Sequence, residues 1–229
     1  IFENGKVVNY TGSTRTLFEQ QNQKTCYELL QSKILAQEPL SLPLVRTIHR
    51  TLTEGTYDER RYITNGERPG AFKKHDYVTG KNEVGSPPEA VADDLTELIE
   101  EVNAIGAQAP LKAGAYFHAR FENIHPFADG NGRIGRLWHT LLLTQWKPMF
   151  AWLPVESIIH DRQDEYYQAI NRSNNEAEST VFIEFMLSAI KEALMEAVKT
   201  GSAENMSAEE QRWYQIERFL KKNGTISNV

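Results

Sequence analysis

Little in this chain calls for a special environment. A single cysteine, Cys26, stands among 229 residues, so no disulfide can close within the chain, and a reducing, cytoplasmic compartment is expected. No apolar run is long enough to cross a bilayer and no stretch has the make-up of a secretion signal, so no membrane partner is expected. Basic residues are not in excess: 25 Lys and Arg face 31 Asp and Glu, a net charge of −6. That balance argues against a general nucleic-acid surface. Internal repeats and low-complexity stretches are also lacking, which sets aside solenoids and disordered linkers. The chain opens on Ile1 without a methionine, and the expectation is a fragment or a processed product.

What is present fits one globular domain with or without appendages: 40% of residues are hydrophobic and 24% charged. Apolar residues recur mostly at helical spacing, and the fold is read as all-α. A helix is expected over residues 14–36. A second follows the interruption at Pro39 and Pro43, with Ser41 as its cap and Leu44, Val45, Ile48 and Leu52 inside. Between about Asp58 and Gly85 the character changes. Gly66, Pro69, Gly70, Gly80 and Gly85 punctuate short runs such as Tyr62-Ile63-Thr64 and Asp76-Tyr77-Val78, which predicts a small β-hairpin or flap. Ser86-Pro87-Pro88-Glu89 then opens a helix by capping box. Further helices are expected around residues 111–121, 158–170 and 180–198, and a last one follows a second capping box at Ser207.

The chemistry concentrates in His125-Pro126-Phe127-Ala128-Asp129-Gly130-Asn131-Gly132-Arg133-Ile134-Gly135-Arg136. Asp129 to Gly132 is rich in turn formers and is read as loop. Ile134, Leu137, Trp138, Leu141 and Leu142 then follow at helical spacing, so the run is a loop feeding a helix N-terminus. Such an end carries free N–H groups and partial positive charge, and it binds anions. Gly130 and Gly132 let a phosphate approach the backbone. Arg133 and Arg136 share one face there and suit a polyphosphate. Asp129 is a hard oxygen ligand suited to Mg²⁺ or Mn²⁺. His125 is the group able to take a proton near neutral pH.

This run resembles the signature of the Fic family, His-x-Phe-x-Asp/Glu-Gly-Asn-Gly-Arg-x-x-Arg, with every specified position matched. A chance match has odds of roughly 10⁻¹⁰ per start site. The resemblance implies a helical Fic fold with a β-hairpin flap, and an ATP-dependent protein adenylyltransferase. His125 would deprotonate a target hydroxyl, and Asp129 would hold the metal. Gly130, Asn131, Gly132, Arg133 and Arg136 would bind phosphates, with Phe127 packing in the core. It further implies an adenine pocket near Tyr166 and Tyr167, and a flap docking the target protein, where Phe72 and Lys73 match its first strand apart from Lys in place of Arg. The Gly132 position argues against the kinase-like branch, which carries Lys there.

A Fic domain with an N-terminal helical extension is expected over residues 1–200, with its core at about 41–175. Residues 201–229 resemble the start of a truncated helix-turn-helix module, the one route by which DNA enters as a partner. Glu3 would complete an inhibitory pattern, Ser/Thr-x-x-x-Glu-Gly/Asn, if Ser or Thr stood two residues before Ile1, and would then pair with Arg136. Removal of AMP, transfer of another nucleotide, a non-catalytic nucleotide-binding role and a homo-oligomer remain open alternatives.

Overall fold

A computed structural model describes residues 2–3, 6–7, 14–36, 38–57, 59–79, 82–106, 108–153, 155–176 and 178–201. The side chains of residues 2–3, 6–7, 14, 20, 31, 34–35, 78–79, 82–84, 151–152 and 199–201 lie outside that description. Two units divide the chain, residues 1–145 and residues 146–229.

The first unit is helical. Its described helices are α1 (Thr14–Leu35), α2 (Leu42–Thr53), α3 (Arg60–Asn65), α4 (Val91–Gly106) and α5 (Pro110–Ile124), followed by α6 (Asn131–Trp146), which ends at the boundary. Two short backbone pairings accompany them: β1 (Phe2–Glu3) with β2 (Lys6–Val7), and β3 (Tyr77–Thr79) with β4 (Asn82–Val84), both antiparallel. The core forms where the apolar stripes of these helices meet. Leu44, Val45, Ile48 and Leu52 of α2 join Leu95, Leu98 and Val102 of α4, Phe117 and Phe121 of α5, and Ile134, Leu137 and Trp138 of α6. Such burial is worth about 1.5–3 kcal/mol per large side chain.

In the second unit a short 3₁₀ stretch (Pro148–Trp152) leads into α7 (Val155–Asp161), α8 (Gln163–Glu176) and α9 (Thr180–Gly201). Helices α7 and α8 both pack on α9. Phe182, Met186, Ala189, Ile190 and Ala193 recur on its buried face. The expected helix over residues 158–170 is broken at Arg162, the turn residue between α7 and α8. The expected helix after Ser207 lies outside the described residues.

Several expectations need correction. Tyr62-Ile63-Thr64, read as a strand, lies in α3. Tertiary contact decides it: Tyr62 is 1% exposed and stacks on Tyr57 at 4.6 Å. Gly66, in the left-handed region at φ 67, then caps the helix through its N–H to Ile63 O. Pro69 to Lys73, matched to a first flap strand, is a turn and irregular chain. Its backbone is pinned elsewhere: Arg46 Nε donates to Gly70 O at 2.9 Å, and Lys73 N–H to Pro126 O at 2.9 Å. Ser41 stands at the N-cap of α2, but its hydroxyl makes no capping bond. Helix α4 begins at Val91, after a turn over residues 88–90, later than the capping box suggests.

Candidate active site

The segment between α5 and α6 is held in one shape by its own side chains. Asn131, 2% exposed, receives the Phe127 N–H on Oδ1 at 3.0 Å and returns a bond from Nδ2 to Phe127 O at 2.7 Å. This closes the loop into a ring. The Asn131 side chain is therefore turned inward, and the phosphate-binding role expected of Asn131 would fall to its backbone N–H. Helix α6 starts at Asn131 itself, so Asn131 and Gly132, read as loop, form its first turn. Gly130 takes φ 86, which favours glycine, and a Cβ there would stand 2.9 Å from Thr53 Cγ2. The first-turn N–H groups of α6 are left pointing out of the helix end.

His125 follows the last residue of α5 in the left-handed region, φ 49 and ψ 60, with its N–H on Phe121 O at 2.9 Å. Among the described residues no other non-glycine has a positive φ. Sparse conformations of this kind collect at functional sites. Gly85 packs against it so closely that a Cβ would stand 2.5 Å from His125 Cβ and 2.4 Å from Ile124 O. Burial, with the nearby Lys73 ammonium, lowers the His125 pKa to about 4. The imidazole is thus neutral at physiological pH and able to accept a proton.

Asp129 is bound at every polar atom. Its Oδ1 accepts the Gly130 N–H at 2.7 Å, and its Oδ2 accepts from Arg15 Nη2 of α1 at 2.7 Å. Arg133 Nη2 stands 3.6 Å from the same oxygen, and Arg133 Nη1 lies 3.4 Å from Glu19 of α1. Helix α1 thus lays a cation on the acidic residue and an anion on the first arginine. Arg15 is braced in turn by Glu59 at 2.8 Å and by Glu19 at 3.3 Å. The backbone of Asp129 is held from α2 and the chain just after it: His49 Nε2 and Tyr57 OH meet its carbonyl at 3.0 and 3.2 Å, and Tyr57 OH accepts its N–H at 3.0 Å.

Arg136 lies one turn further along α6. Its Nη1 and Glu122 Oε1 of α5 each come within 3.3 Å of where a Cβ on Gly132 would stand. The glycine makes room for both. Burial raises the Glu122 carboxyl to about 7, against the pull of Arg136. Deeper between α5 and α6, His118 packs over Gly135 and His139 over Gly114. Burial keeps both imidazoles neutral, His139 at about 4.

The other expected site residues sit as follows. Phe72 is half-buried, its ring 5.5 Å from Phe127 and 5.5 Å from the Arg46 guanidinium. Lys73 is 3% exposed. Both side chains face inward. Tyr166, in the second unit, is buried against Phe182 and Phe185, while Tyr167 is 53% exposed. The backbone of Glu3 lies in β1, and its side chain lies outside the described residues. Arg15, Glu19, His49, Tyr57 and Glu122 escaped the sequence reading. Only His49 carried a local signal, a polar residue within an apolar helical stripe. No cluster of three metal-ligating side chains exists among the described residues. A single carboxylate beside a phosphate site is still the usual protein share of a Mg²⁺ site, where substrate phosphates and water complete the shell.

A family model described as Fic/DOC matches residues 39–143. Over 80 residues the chain is 35% identical to a probable protein adenylyltransferase of Aquifex aeolicus, covering 34% of this chain and 24% of the relative. Over 91 residues it is 32% identical to a protein adenylyltransferase of Caenorhabditis briggsae, covering 38% and 17%. The chain thus spans about a quarter or less of the length of these relatives. A crystal structure of a Fic family protein from Desulfovibrio desulfuricans matches it with a TM-score of 0.72 and 29% identity, over 98% of this chain and 67% of the other.

Proposed function

We propose, from the match of residues 39–143 to the Fic/DOC family model, that the chain is a Fic protein adenylyltransferase, transferring AMP from ATP to a hydroxyl side chain. The observation that carries this reading is a neutral imidazole, His125, fixed at the mouth of a glycine-lined helix N-terminus that carries two arginines.

In the proposed reaction His125 accepts the proton of a Ser, Thr or Tyr hydroxyl. The hydroxyl oxygen forms a bond to the α-phosphorus of ATP. The bond from that phosphorus to the bridging oxygen breaks, and pyrophosphate leaves with the electron pair. Backbone N–H groups at Asn131 and Gly132 donate to phosphate oxygens, Gly130, whose N–H is taken by Asp129, leaves room for them, and Arg133 and Arg136 hold the outer phosphates. A divalent cation, Mg²⁺ or Mn²⁺, held by Asp129 would neutralise charge on the phosphates when bound. Arg15 occupies that carboxylate and Glu19 lies at Arg133, so both α1 contacts must open before substrate is gripped. The target segment would pair with the β3–β4 backbone, since Phe72 and Lys73 face inward. Tyr166 and Tyr167 remain candidates for the adenine side, and Glu3 a candidate brake on Arg136. The lone, buried Cys26 supports a reducing, cytosolic setting.

The test is transfer of label from ATP carrying it on the α-phosphate, read on target or on the chain itself. Label from the α-phosphate, and none from the γ-phosphate, is expected. Label only from the γ-phosphate would replace this reading with phosphoryl transfer. Tight ATP binding without either would leave a nucleotide-binding module.

A further inference from the structure

Asp129 can serve a phosphate site only if its peptide is held still, and the structure shows what holds it. His49 lies on α2 and is wholly buried. Its Nδ1 receives the Gly70 N–H at 2.8 Å, while its Nε2 faces Asp129 O at 3.0 Å. Gly70 N–H can only donate and the Asp129 carbonyl can only accept. These two partners leave one solution: a neutral ring with its proton on Nε2. The ring is further fixed by Phe127, stacked on it at 3.6 Å with planes 3° apart.

Both ends of this connection are anchored. Gly70, at φ 77, lies against α2, where a Cβ would meet Arg50 Cβ at 3.0 Å and Arg46 O at 3.1 Å. Its carbonyl accepts from Arg46 Nε. At the other end Tyr57 OH takes the Asp129 N–H and also approaches His49 Nε2 at 3.4 Å. One ring thus joins the chain leading to Lys73 with the acidic residue of the motif, 80 positions away.

We propose that His49 is a positioning residue: it sets the Asp129 peptide, and hence the direction of its carboxylate, by bridging Gly70 to Asp129 as a single imidazole tautomer. The inference rests on the reading of Asp129 as the metal-holding residue for its consequence, but not for its geometry. Without the strut, the Asp129 peptide keeps Tyr57 alone, and its carboxylate keeps Arg15, the more distant Arg133 and the Gly130 N–H, of which Arg15 must leave when a cation arrives.

Two substitutions separate the two halves of the ring. His49→Gln places an amide N–H where Nε2 stood and keeps the bond to Asp129. His49→Asn places a carbonyl where Nδ1 stood and keeps only the bond from Gly70. Three measurements on the whole chain are needed. Nitrogen NMR of the wild type should show the proton on Nε2. Amide hydrogen exchange, without metal or nucleotide, should speed up at least tenfold at Asp129 and Gly130 in His49→Asn, and less than threefold in His49→Gln. The Mn²⁺ concentration that half-saturates binding in the presence of ATP should rise at least tenfold in His49→Asn and stay within threefold in His49→Gln. The proposal is overturned if the ring carries its proton on Nδ1, or if both variants lose protection equally. If Mn²⁺ leaves ATP affinity unchanged in the wild type, the metal role of Asp129 falls, and the exchange comparison still decides whether His49 is the strut.

Discussion

The motif loop is gripped from two sides by different forces. On the α2 side the partners are neutral and more enclosed: His49 is 0% exposed, Tyr57 is half-buried, and the bonds run to the Asp129 backbone. On the α1 side the partners are charged and partly open: the Arg15 and Asp129 side chains keep 28% and 25% of their surface, Glu19 and Arg133 33% and 25%. A buried neutral bond is costly to leave unmade. A half-exposed ion pair contributes about 0–1 kcal/mol and is screened by salt. The first grip sets shape and the second can be exchanged. An incoming anion and cation can replace Glu19 and Arg15 charge for charge, while neither can replace Tyr57 or His49.

The largest expected effect lies outside both grips. His125→Ala should lower transfer about 10²–10⁴-fold while leaving ATP binding near wild type, because neither grip involves the ring. Near-normal turnover in this variant would remove His125 as the base. Because its pKa is lowered, the wild-type His125 stays in the base form well below pH 6.5, and its protonation should cost activity only as pH falls toward about 4.

Next comes Tyr57→Phe, which strands the Asp129 N–H and should cost about 1–3 kcal/mol in urea unfolding, nearly the same at low and high salt. A loss that fades in 1 M salt would erase the distinction drawn between the two sides.

Glu122 gives a pH-dependent probe behind the loop. Its folded pKa of about 7 exceeds the ordinary carboxylate value. Its stabilising share is therefore complete below about pH 4.5 and disappears as pH rises through 7. Glu122→Gln has no such slope, so its stability relative to wild type should grow between pH 5 and pH 8, by on the order of 2 kcal/mol. A constant difference across that range would mean the carboxyl is ionised in the fold.

Arg15→Ala should have the smallest effect on stability, under about 1 kcal/mol and vanishing in 1 M salt. Initial rates of AMP transfer should rise, since one competitor for Asp129 is gone. A stability cost matching Tyr57→Phe would show that both grips are structural.

The motif itself was legible because its residues are contiguous and their turn chemistry is local. The helical class was legible from the stripes of α2, α4 and α6. The two grips were not, because their partners lie far apart in the chain: 72 positions for Tyr57 to Asp129 and 114 for Arg15 to Asp129. No local pattern marks such a pair. The α3 segment misled for a related reason. A β-branched and aromatic triplet favours strand in isolation, yet Tyr62 is claimed by the Tyr57 ring and Gly66 ends the turn. Asn131, read as a phosphate binder from its place in the motif, spends its carboxamide inside the loop, a use that the motif does not announce.

If His125 is the proposed base, position 125 sets activity against robustness in this chain. The backbone there adopts a conformation that helix ends usually give to glycine or asparagine, at a cost of roughly 1 kcal/mol for other residues. A laboratory selection that rewarded melting temperature alone would drift toward asparagine or glycine at this site and, under the proposed function, collect variants that have lost the base. Any campaign to toughen the protein has to screen for transfer at every round, or hold His125 fixed and seek its gains elsewhere.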